Sequence, residues 1–303
     1  MYNIKNEITM VSINSSSLFH FTSKMEVLKK IISTGLRYSF CYESFGNNKG
    51  MGIPMVCFCD IPISRSPKHR SKFGNYAIGL NKEHIMFHNN LNPVHYVSSY
   101  QQYWYRCSYI DVILKSLEEH SSDCFNNAIS ESSIPRQELL NIIEREGLSA
   151  FGEDIHYKLE SLGLAKILYK QQLTYSKVYK ETLGNKKLNY YDENEWRMVP
   201  NYNTYDEKAL SWIEDITFDE FKSRKLEFAD KVTNANDGYF TIPAKDINKA
   251  ISFIIVKNEK MVASIIKHIL KSPTIFGAED VSYDEKLLLI SKITSFERIE
   301  NDY

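Results

Sequence analysis

Long apolar runs are missing from this chain: stretches such as Ala250 to Val256 are far too short to cross a bilayer. The segment Met1 to Asn14 is polar and lacks the apolar centre of a signal peptide, so the expected location is the cytoplasm, away from any membrane. A charge excess is missing as well. With 37 Lys and Arg against 38 Asp and Glu, the net charge is −1. No global basic field recruits nucleic acid or an anionic surface, and any such contact has to be local. The five cysteines, Cys41, Cys57, Cys59, Cys107 and Cys124, are odd in number and thinly spread. That pattern argues against a disulfide framework, and reduced thiols are expected. Internal repeats, low-complexity tracts, a P-loop, a G-x-G-x-x-G turn and a nucleophile elbow are all absent. Any dinucleotide binding therefore does not use a Rossmann turn.

What is present suits a globular enzyme-like domain. The 303 residues are 43% hydrophobic and 25% charged, enough for one large α/β domain with a core. The 20 Tyr and 16 Phe suit core packing, and also stacking on flat ligands. Leu18 to Thr22 reads as a strand, followed at once by a helix with Ser23 and Glu26 as a capping box. Met25, Leu28, Ile31 and Ile32 line one face of that helix, and Gly35 ends it. Gly46 to Gly52 reads as a polar loop, Pro54 to Cys59 as a buried strand, and Asp60 to Ser71 as irregular and basic. Further strands are expected at Tyr76 to Leu80, Pro93 to Val97, Glu195 to Val199, Tyr239 to Ile242 and Ile251 to Val256. Helical spacing marks Ile110 to Leu117, Leu139 to Ile143 and Tyr157 to Leu168, with Pro135 as a break. Asn258 is placed to cap a helix reaching Leu270, while Leu287 to Ile299 fits helix or strand equally. The sum is a single α/β (α+β) domain over 1–303. Its core strands lie within 15–100 and 186–256, with a helical insertion at about 101–180 and a mixed region at 257–303.

Three constellations carry chemistry. In extended chain, residues two apart share a face, so His20 pairs with Thr22, and Glu193 with Glu195. Together such pairs suit a cleft for a sugar hydroxyl and a developing cation. His20 fits equally a hydrogen-bonded strand histidine, and Glu195 an exposed carboxylate beside a surface Arg197. The basic segment from Arg65 to Lys72 suits a pyrophosphate or nucleic-acid phosphates, or a solvated loop. Cys57 and Cys59 with His84 and His88 have zinc-ligand types, but a C-x-C in an apolar run reads first as two buried thiols, and no metal is expected.

These strings in this order, from Leu18-Phe19-His20-Phe21-Thr22 through Val56-Cys57-Phe58-Cys59-Asp60-Ile61-Pro62 and Tyr76 to Leu80 to Asn194-Glu195-Trp196-Arg197 and Ile251 to Val256, resemble the AbiGi-type abortive-infection family. The order is also similar to the ADP-ribosyltransferase superfamily, in its DarT and PARP branches, and to CmdT-like toxins. That resemblance implies a split-sheet ADP-ribosyltransferase-like core with NAD as co-substrate. It implies that His20 binds a ribose hydroxyl, Thr22 supports the strand end, and the Phe21 backbone grips the nicotinamide amide, where PARP-type enzymes carry glycine. Glu195 becomes the catalytic carboxylate, and Glu193 the residue that orients or deprotonates the acceptor. His69 or Tyr76 flanks the nicotinamide. The implied function is a toxin-like effector of anti-phage defence that modifies a macromolecule, nucleic acid and RNA being favoured, with a neutralising antitoxin as a partner. Two alternatives remain: a non-enzymatic antitoxin or regulatory partner, and a metal-independent ribonuclease using His20 and His69.

Overall fold

The computed structural model describes residues 15–46, 49–86, 90–98, 109–110, 112–117, 119, 141, 153–183, 186–200, 208–213 and 216–302. The expected helix around Leu139 to Ile143, apart from Asn141, lies outside them, as do His88, Cys107 and Cys124. Strand β1 (Ser17–Thr22) runs into helix α1 (Met25–Thr34), which buries Leu28, Ile31 and Ile32 as its spacing predicts. The capping box does not form, because Lys24 rather than Ser23 occupies the cap position and no side chain caps the helix. Gly35 ends α1 at a φ of 87°, where a Cβ would stand 2.3 Å from the Phe240 carbonyl oxygen. Strands β2 (Leu36–Arg37), β3 (Ser39–Gly46) and β4 (Lys49–Cys59) follow. Most of the expected loop at Gly46 to Gly52 therefore belongs to a β3–β4 hairpin, paired from Ser39↔Met55 to Gly46↔Lys49. The irregular basic stretch contains a 3-10 turn at Ile63–Arg65 and helix α2 (Pro67–Phe73), with Pro67 in the first turn where its missing N–H costs nothing.

Next come β5 (Tyr76–Asn81), α3 (Lys82–Met86), β6 (Asn90–Pro93), β7 (His95–Val97), α4 (Glu153–Thr174), β8 (Ser176–Val178), β9 (Lys180–Leu183), β10 (Lys186–Asn189) and β11 (Glu195–Val199). The C-terminal part adds α5 (Phe218–Ser223), α6 (Lys225–Asn234), β12 (Tyr239–Phe240), α7 (Ile247–Ala250), β13 (Ile251–Val256), α8 (Val262–Lys271), α9 (Tyr283–Ile290), β14 (Ile293–Ser295) and α10 (Phe296–Asp302). The expected helix after Asn258 begins only at Val262, beyond a 3-10 turn, and Asn258 makes no side-chain cap. The ambiguous tail holds both element types, a helix, a strand and a second helix.

Contacts divide the chain into two compact units, one of residues 1–94 and 180–303, the other of residues 95–179. In the first, an eight-stranded mixed sheet has the order β14-β13-β5-β1-β4-β11-β6, with β3 paired to β4 off that path. Neighbours are antiparallel except β13 and β14. Alternation along these strands makes two different faces. Leu18, Phe58, Ile78, Ile254 and Met198 join the large core beneath α1 and α8, which contributes Ile265 and Ile269. Phe19, Cys59, Ala77 and Ile255 face the other way, where Phe296 of α10 and partly buried Phe21 complete a smaller core. In the second unit β7 and β8 pair in parallel, residues 112–117 are helical, and Leu114, Leu173, Tyr175 and Val178 are buried.

Candidate functional site

β4 is far longer than its pairing with β1, which is limited to the single row Phe19↔Cys59. Beyond that row the two strands part, and β1 continues on β5 alone. At this fork the His20 side chain takes over: its Nδ1 donates to the Cys57 carbonyl oxygen at 2.9 Å. The neutral ring then keeps Nε2 as an acceptor. Burial pushes the imidazole below its ordinary 6.5, opposed by that hydrogen bond. His20 lines a cavity of about 360 Å³ with Lys30, Arg37, Cys41, Cys57 and Tyr239 among its walls. Its size falls within the range of small-molecule sites, and the two cations suit phosphate groups.

Glu195 sits one strand further along, in the row Phe19–Cys59–Glu195. That register puts its side chain on the sheet face opposite His20. The Arg197 Nε donates to Glu195 Oε1 at 2.8 Å, and its Nη2 to Glu43 Oε1 at 2.6 Å. Arg197 is 0% exposed and Glu195 7%. The expected carboxylate–arginine pair is thus real but buried, not on the surface. Burial works against the Arg197 charge, yet Glu43 and Glu195 outweigh it and hold the guanidinium protonated. Sequence reasoning missed Glu43 because β3 was unrecognised. The available signal was an arginine two residues from a glutamate inside an otherwise apolar strand. Cys57 connects the two faces: its carbonyl serves His20, while its side chain, in register with Arg197, lies on the face of Arg197 and Glu195.

The remaining expected site residues separate into other places. Glu193 closes a 3-10 turn, Tyr190–Glu193, and Asn194 is left-handed at a φ of 41°. The two glutamates therefore do not share a strand face, because the chain between them is not extended. Glu193 pairs with Lys72, and its carbonyl meets His69 Nε2 at 3.3 Å. His69 lies against Phe21 and Phe73, with ring centroids 6.5 and 6.2 Å apart. A smaller hollow of about 210 Å³ runs past Lys68, His69, Lys72, Phe73 and Tyr190. Phe21 and the histidine packed on it occupy the face away from His20, so the two imidazoles of the ribonuclease reading do not share a cavity. Thr22 pairs across the sheet with Tyr76, whose hydroxyl points to Met261 Sδ at 3.2 Å. Arg65 belongs to the 3-10 turn before α2 and lines neither hollow. In the basic segment Lys68 pairs with Asp192 and Arg70 with Glu300, which reduces its local field. Among the described residues no group of three or more His, Cys, Asp and Glu is arranged to hold a metal ion, and no helix is long and apolar enough to cross a membrane.

The family model described as "Putative abortive phage resistance protein AbiGi, antitoxin" matches residues 37–257, a span that contains Glu43, Cys57, His69 and Glu195 and begins after His20. Among curated relatives, an abortive phage resistance protein AbiGi of Lactococcus lactis subsp. cremoris is 25% identical over 264 residues, covering 83% of this chain and 89% of that protein. No solved structure matches.

Proposed function

The chain belongs to the AbiGi family of abortive phage resistance proteins, and from that premise we propose that it acts in anti-phage defence by NAD-dependent ADP-ribosyl transfer. The observation that carries this reading is the fork between β1 and β4, where His20 opens into a cavity flanked by Lys30 and Arg37. A neutral imidazole with Nε2 as acceptor suits a ribose hydroxyl, and the two cations suit a pyrophosphate. NAD supplies an ADP-ribosyl group whose C1′ exchanges nicotinamide, leaving with its bonding electrons, for a nucleophilic atom of the acceptor. Glu195, an anion fixed by Arg197, supplies the electrostatic stabilisation for that exchange. Its carboxylate has to act from the far side of β4, which makes NAD binding and NAD cleavage separable tests. RNA is the acceptor proposed, with Glu193 receiving the proton.

The test measures binding and chemistry separately. NAD is expected to raise the thermal midpoint of wild type, and His20→Ala to abolish that shift. Nicotinamide release in the presence of RNA is expected from wild type and to be lost in Glu195→Gln. Equal release by wild type and Glu195→Gln would remove Glu195 from the chemistry. A protein that neither binds nor cleaves NAD would instead support the second reading, a non-enzymatic antitoxin or regulatory partner. That reading is favoured by the burial of Glu195 against Arg197, and by the word antitoxin in the family description.

A further inference from the structure

We propose that the hollow between α2 and the Tyr190–Glu193 turn binds one unpaired guanine of a single-stranded RNA. The inference rests on the RNA acceptor proposed above and gives it a place beside Glu193, but it is tested by binding without NAD. At about 210 Å³ the hollow is smaller than the roughly 300–1,000 Å³ of drug-sized sites, which suits a single base. Two rings belong to its wall, exposed Phe73 at the end of α2 and half-buried Tyr190 in the turn. The Lys72 ammonium lies 4.8 Å from the Phe73 ring centroid and 5.8 Å from that of Tyr190. A flat base takes its place against these rings as the exposed lysine turns outward.

The polar groups of the wall are sorted by depth. The Glu193 carbonyl accepts from His69 Nε2, so Nδ1 of that ring is left as an acceptor, and burial disfavours its protonation. Asn189 donates from Nδ2 to Asp192 Oδ1, and its own Oδ1 is an acceptor too. His69 Nδ1 and Asn189 Oδ1 are both buried and neither has a hydrogen-bond partner. With the partly buried Glu193 carboxylate they make an acceptor-rich inner wall, to which a ligand's N–H groups supply the donors. Lys68 and Lys72 are exposed and stand at the mouth. A guanidinium entering here meets two lysines, and a bare anion meets Asp192 and Glu193. A nucleotide suits both sets, with its neutral base inside and its phosphate outside. Among the RNA bases, guanine carries a ring N–H and an amino group side by side. Adenine and cytosine put an acceptor next to the amino group, and uracil flanks its N–H with carbonyls.

Binding to the full-length protein would be measured by fluorescence anisotropy of a short labelled oligouridine with one central guanine. Strands with adenine, cytosine or uracil at that place are the comparison. The guanine strand is expected to bind about tenfold more tightly. Phe73→Ala, a change at an exposed ring, is expected to weaken every strand by about tenfold. His69→Phe keeps a ring but removes the acceptor, and should erase the preference for guanine; if it folds poorly, Asn189→Leu removes the other acceptor with the same expected effect. Equal affinity for all four strands, or wild-type binding by Phe73→Ala, would overturn the proposal, as would capture of an arginine peptide in place of RNA. Guanine-selective binding without nicotinamide release keeps this site and removes the transferase reading. Nicotinamide release with unselective RNA binding does the reverse.

Discussion

Arg197 is the residue on which the site turns, since one guanidinium holds carboxylates from β11 and β3 in a place sealed from solvent. Removing it leaves Glu43 and Glu195 buried together without their cation. Arg197→Met is therefore expected to lower stability by about 3–5 kcal/mol, read from urea unfolding. His20 gives a prediction of a different kind. Its folded value lies below 6.5, so from that pH downward the unfolded chain binds a proton that the folded chain does not. Stability should fall as pH drops below 6.5 toward the lowered folded value, and be regained above it. His20→Asn should flatten that slope in unfolding curves taken across the window; an unchanged slope would remove His20 as its source. At this scale the sequence marks His20 and Glu195 as candidates through their strand neighbours, but their identity as letters says nothing of which sheet face each occupies.

Among the elements, those with strong local patterns were legible. The apolar spacing of α1 and the near-continuous apolar runs of β4 and β13 place these elements before any pairing is known. Boundaries and caps followed less well: Ser23 has the right chemistry for a cap but stands one residue too early. Where a cap does form, it has a measurable share in stability. Ser282 accepts from the Glu285 N–H while the Glu285 side chain returns to the Ser282 N–H, closing a capping box at the start of α9. Ser282→Ala is expected to lower stability by about 1 kcal/mol, checked by denaturant titration. β3 was not legible. Its Ser39, Cys41 and Glu43 are small or polar, and only pairing with β4 and cover from Phe221 and Phe228 on Phe40 and Tyr42 make it a strand.

For the whole molecule, the strand order brings distant ends of the chain together. β1 from near the start and α10 from the end share one small core, in which Phe296 stacks on Phe21 with ring centroids 6.2 Å apart and Arg70 lies over the Phe296 ring at 4.5 Å. Phe296→Ala is expected to cost about 3–5 kcal/mol, measured by urea unfolding, because it empties the contact that closes the last element onto the first. The amino-acid sequence by itself determined the local alternatives: which segments are apolar enough to be strands, which are spaced as helices, and that the charge is balanced and the thiols few. Tertiary structure alone decided that β4 lies between His20 and Glu195, that those side chains take opposite faces, and that Glu43 reaches Arg197 from β3. The reason is physical. Periodicity is a property of neighbouring residues, whereas register and strand order are set by which distant surfaces bury one another, and a shift of one residue in pairing reverses every face.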